Sequence, residues 1–70
     1  MSTAELLTRQ YGPLLTVVQL AAILDRSPDG LRISLRNDSA FSQSVNAARI
    51  RLGRRVYFST TKIAAIIEVA

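Results

Sequence analysis

The 70 residues predict a mainly helical α+β domain, and three observations carry that prediction. Thr16 with Gln19, and Ser2 with Glu5, stand at the spacing of a capping box ahead of apolar residues at helical intervals. From Ala48 the apolar period shortens to two: Ile50, Leu52, Val56 and Phe58 are separated by Arg49, Arg51, Arg55 and Tyr57 on either side of Gly53-Arg54. The chain has no cysteine and no histidine, so no disulfide framework or thiolate metal site is available, and the fold must rest on packing and capping.

Residues 1–13 form either a short helix over 3–10 or an arm. Ser2 and Glu5 open such a helix, Leu7 and Tyr11 share one side, and Gly12-Pro13 stops it; helices under about 12 residues are marginal without packing. Leu14 and Leu15 lead into a second helix as a hydrophobic staple across its cap, Thr16. Leu20, Ala21 and Leu24 lie on one face of it, and Asp25-Arg26 end the apolar pattern. Ser27 caps the next helix, Pro28 takes its first position, and Asp29 complements its positive start. Leu31 and Leu35 then point to one side, with Asp29, Arg32, Ile33 and Arg36 on or near the other. Over residues 14–37 this is a helix-turn-helix, its second helix shaped to lie in a major groove.

Residues 37–44 read as a polar connector in which Phe41 anchors to the core. A β-hairpin follows, with strands over 49–52 and 55–58 and a turn in which Gly53 supplies a positive φ. The alternation sends one hairpin face to the core and makes the other largely arginine. Ser59, Thr60 and Thr61 are successive candidate caps for a last helix over 60–70. Ile63, Ile66, Ile67 and Ala70 follow the helical repeat, yet Ala64, Ala65 and Val69 make the remaining faces apolar too. With 49% hydrophobic residues in so small a domain, these four residues are the expected interface of a homodimer or larger assembly. Ile66 and Ile67 point different ways, so one is expected on the chain's own core and the other on a partner.

Net charge is +4. In residues 1–38 Arg9, Arg26, Arg32 and Arg36 are balanced by Glu5, Asp25, Asp29 and Asp38, whereas in residues 39–70 Arg49, Arg51, Arg54, Arg55 and Lys62 face Glu68 alone. The excess therefore sits on and beside the hairpin, where a basic ribbon can follow phosphates or enter a minor groove. Beside a helix-turn-helix, that is the arrangement of a wing.

The run Leu14-Leu15-Thr16-Val17-Val18-Gln19-Leu20-Ala21-Ala22-Ile23-Leu24, then Ser27-Pro28, then Arg51-Leu52-Gly53-Arg54-Arg55-Val56-Tyr57-Phe58, resembles the winged helix-turn-helix domains of MerR-type regulators, phage excisionases and small plasmid or phage DNA-binding proteins. The resemblance covers about residues 14–68, and its order and spacing are more specific than any single motif. It implies that the second helix enters the major groove and the wing contacts the flanking backbone or minor groove, through Arg32, Arg36, Arg54 and Arg55. Members often carry a tryptophan where this chain has Ser34. The coiled coil and effector domain of MerR-type sensors do not follow here, so the expectation is a stand-alone DNA-binding unit without a small-molecule ligand.

The expected function is sequence-specific binding of double-stranded DNA by a small transcriptional regulator, a repressor in the first instance, or a recombination directionality factor. Ser27, Asp29, Arg32, Ile33, Arg36, Asn37, Arg49, Arg51, Arg54 and Arg55 are the candidate DNA-binding residues. Arg32 suits guanine O6 and N7, Ile33 a thymine methyl, and the hairpin arginines suit phosphates; Asp29 either serves only the helix start or accepts from a cytosine N4. The alternative is a protein-interaction adaptor working through the apolar C-terminal helix. Catalysis is not expected, because no acid–base pair, nucleophile–base pair or metal cluster can be drawn from five scattered acids, and no cofactor is implied. No apolar run approaches the ~20 residues of a membrane span, and the first ten residues lack a basic segment followed by an apolar core, so the expected location is cytoplasmic.

Overall fold

The computed structural model describes residues 2–69. They run in the order α1 (Thr3–Tyr11), β1 (Leu14–Leu15), α2 (Val17–Ile23), α3 (Pro28–Arg36), α4 (Ala40–Ala47), β2 (Arg49–Leu52), β3 (Arg55–Ser59) and α5 (Thr60–Val69). This is the α+β, mainly helical class that the sequence predicts. Among the described residues no helix is long and apolar enough to cross a membrane.

Hydroxyl side chains set the helix starts. The Oγ of Ser2 accepts from Glu5 N at 3.2 Å, and that of Ser27 from Gly30 N at 3.0 Å. Thr16 and Gln19 form a reciprocal box, Oγ1 accepting from Gln19 N at 3.1 Å while Oε1 accepts from Thr16 N at 3.0 Å. Of the three candidate capping hydroxyls, Ser59, Thr60 and Thr61, Ser59 is the one that accepts from Lys62 N, at 3.3 Å. Thr60 Oγ1 instead donates to Gly12 O at 2.7 Å, fully buried.

Of the segment expected as helix or arm, Thr3–Tyr11 is helix, because α1 has something to pack on. Its C-cap, Gly12, takes φ +88°, and α1 lies antiparallel against α5. Thr60, at the start of α5, reaches the carbonyl at the end of α1, and Glu68, in the last turn of α5, accepts from Thr3 N at 3.2 Å. That packing changes the reading of the last helix. Ile63 is 1% exposed within the single chain, so it belongs to the chain's own core and not to a dimer interface. Ile66 and Ile67 are both half-buried against that core, which departs from the expected division between core and partner. Ala70 lies outside the described residues.

Two further corrections concern the middle of the chain. The supposed connector over 37–44 contains most of α4, which opens with a second reciprocal box: Ser39 Oγ accepts from Ser42 N at 3.1 Å and Ser42 Oγ from Ser39 N at 3.0 Å. Phe41, Val45 and Ala48 recur at i, i+4 and i+7 and turn inward, with Val45 and Ala48 buried. The sheet has three strands instead of two, in the order β1-β3-β2, with Leu15 opposite Phe58 on one side and Arg49 opposite Phe58 on the other.

The hairpin register also revises the assignment of its faces. Leu52 pairs with Arg55 across the two-residue loop Gly53-Arg54, so Val56 lies across from Arg51 and Tyr57 from Ile50. Paired residues share a face. One face therefore carries Arg49, Arg51, Val56 and Phe58, and the other Ile50, Leu52, Arg55 and Tyr57. Apolar and basic residues are mixed on both, and Leu52, expected inside, is 53% exposed. Gly53 has φ +62° and Arg54 no positive φ, the pattern of a type II′ turn.

Leu15 and Phe58, opposite one another at the sheet centre, join Leu20, Ala21, Leu31, Leu35, Val45, Ala48 and Ile63 in a single core. Of Leu14 and Leu15, the pair expected to staple α2, Leu15 is fully buried together with Leu20, whereas Leu14 is only half-buried. The α2–α3 connection closes with Asp25 N donating to Ala22 O at 3.2 Å and Arg26 N to Ala21 O at 2.9 Å. This is a Schellman motif whose left-handed position is filled by Asp25 at φ +55° rather than by glycine. Arg26 is held there, Nη1 donating to Ser34 Oγ at 3.2 Å and the guanidinium lying 5.1 Å from the centre of the Phe41 ring.

Candidate nucleic-acid interface

The core face of the sheet continues past the helices onto β2, and there it becomes basic. Phe58 fills the core, but Arg49, its neighbour on the same face, is exposed. On the opposite wall, Leu31 and Leu35 anchor α3, which leaves Arg32 and Arg36, one turn apart, at the rim. Between these walls runs an open groove of about 550 Å³, floored by the start of α2 and by β3.

Five of the nine basic residues line this groove: Arg32 and Arg36 from α3, and Arg49, Arg54 and Arg55 from the hairpin. None of the five acids does. Arg32 donates from Nη1 to Asp29 Oδ1 at 3.1 Å, while Arg36, Arg49, Arg54 and Arg55 have no acidic partner among the described residues. Val17, Val18, Leu35, Val56 and Phe58 contribute apolar surface to the same lining. Such a surface attracts a polyanion over its whole length and offers forked donors that match phosphate oxygens or the major-groove edge of guanine.

The other expected contact residues are placed differently. Ile33 is 61% exposed on the outer side of α3, outside the groove lining. Arg51 shares the face of Arg49 but folds back on the turn, its Nε donating to Gly53 O at 3.4 Å. The Ser27 hydroxyl is the α3 cap, and the carbonyl of Asn37 accepts from Ser42 Oγ, so these two residues act first on local structure. Thr16, expected only as the cap of α2, and Val18 also line the groove, although the sequence does not mark them as contact residues. The available signal was that Val17 and Val18 are adjacent and cannot both face inward; Val18 is 59% exposed.

No family model, curated protein or solved structure matches this chain.

Proposed function

We propose that this protein binds double-stranded DNA in a sequence-dependent way as a winged helix-turn-helix module, and serves as a small transcriptional regulator, in the first instance a repressor, or as a recombination directionality factor. The observation that carries the proposal is the convergence of five arginines, from two elements distant in sequence, on one groove that no acid lines. In this reading α2, the Asp25 turn and α3 are the helix-turn-helix, and β2–β3 is the wing. Arg54 and Arg55 at the hairpin tip hold phosphates, which supplies affinity without sequence preference. Arg32 and the exposed Ile33, on a helix braced by the core, meet base edges, which supplies the preference.

The adaptor alternative has less support, since Ile63 and Ala64 of α5 are internal and Ile66 and Ile67 pack on the core. Self-association through α5 is left with Ile66, Ile67 and Val69, and sedimentation at micromolar concentration, with and without DNA, tests it.

Selection from a random duplex pool at two salt concentrations tests the proposal. With Arg32 directed to base edges, phosphate contacts from Arg36, Arg49, Arg54 and Arg55 predict a log–log salt slope of about −3.6 for the pool, and a selected duplex bound more tightly than the pool. Weak binding that is indifferent to salt, or equal affinity for every duplex, overturns it.

A further inference from the structure

Asp29 holds Arg32 across one turn of α3 at 3.1 Å, its own side chain 92% exposed and that of Arg32 52%. A pair this open contributes little to folding. Favouring the start of α3 requires a carboxylate in the first turn but not the capture of a guanidinium three residues on. The consequence of the pair is a constraint on Arg32, the one groove arginine so held.

We propose that Asp29 is a positioning residue that sets sequence discrimination at this interface, which rests on the duplex-binding reading above. A free arginine at the rim of a basic groove turns to the nearest phosphate, and every duplex presents one there. Arg32, tethered by one of its five N–H groups, keeps the rest of its fork along the exposed face of α3, where guanine O6 and N7 accept two of them. The carboxylate also acts against loose complexes. If Arg32 swings out to a phosphate, Asp29 is left uncompensated beside a polyanion, whereas in a seated complex Arg32 continues to neutralise it. Discrimination then comes from a penalty on the wrong partner as much as from attraction to the right one.

The test compares a random-sequence duplex pool with the best duplex selected from it. Asp29→Asn is expected to tighten binding to the pool about two- to fivefold and to steepen its salt slope by about one as Arg32 joins the phosphate contacts. Affinity for the selected duplex does not rise, so the ratio between the two falls. Repeated selection with Asp29→Asn shows relaxed preference at the same base position that Arg32→Ala relaxes, and the double variant relaxes it no further. An unchanged ratio and slope, or relaxation at a position that Arg32→Ala leaves alone, overturns the inference while the duplex-binding reading stands. Absence of salt-dependent duplex binding by the unsubstituted protein overturns that reading instead. Thermal unfolding checks the fold of each variant. If Asp29→Asn does not fold, Asp29→Ser, which keeps an acceptor in the first turn, is read by the same criteria.

Discussion

Asp25 occupies a backbone conformation that glycine adopts freely and that costs most other residues about 1–2 kcal/mol, although aspartate tolerates it better than most. Asp25→Gly is therefore expected to raise stability by about 0.5 kcal/mol, and Asp25→Val to lower it by about 1–2 kcal/mol, with the denaturant midpoint as the measure. Both variants leave the core untouched, so unequal shifts of this kind isolate the turn that fixes α3 against α2. Thr60 is a second residue whose effect exceeds its size. Its buried hydroxyl satisfies the Gly12 carbonyl across 48 positions of sequence, and Thr60→Val strands that acceptor at an expected cost of about 1–3 kcal/mol. The sequence places both residues at the ends of elements. It does not say that Thr60 reaches α1 rather than capping its own helix, because a hydroxyl followed three residues later by a backbone N–H is common to all three candidates.

At the scale of elements, α2 and α3 were legible because Thr16, Gln19, Ser27 and Pro28 act within one turn of themselves. The start of α4 was obscured by composition: Ser39 and Ser42 form as complete a box as Thr16 and Gln19, but serine at the fourth position reads as linker. Strand β1 has two residues, too few to carry a period. The faces of the hairpin were misassigned for a different reason. Alternation within each strand is real, but a two-residue loop pairs Leu52 with Arg55, which puts Val56 on the face opposite to Leu52. Substitution separates the two assignments. Leu52→Ser is expected to change stability by less than about 0.5 kcal/mol, and Val56→Ser to cost about 1 kcal/mol, as judged by thermal or chemical unfolding. Equal losses at both positions would restore the all-apolar face.

For the whole molecule, the arginines of the site were legible as residues but their meeting place was not. A groove between α3 and β2–β3 requires knowing which way the sheet faces, and that depends on Leu15 pairing opposite Phe58. Arg51 shows the limit of reading charge from pattern alone, since it matches Arg49 in spacing yet does not line the groove. The tip residues give the matching prediction: Arg54→Ala or Arg55→Ala should weaken binding to all duplexes alike and lower the magnitude of the salt slope by about one each, as titrations at several salt concentrations would show. The same strand has a consequence away from DNA. In the order β1-β3-β2 the outer side of β2 is an edge, a row of backbone donors and acceptors open to a strand from another copy, and Arg49 and Arg51 stand along it. Charge on this strand, of which Arg49 is among the proposed phosphate contacts, thus also keeps copies of the protein apart. Replacing both by glutamine is expected to make concentrated solutions scatter light as strands pair edge to edge, so part of any activity that variant loses will be colloidal in origin.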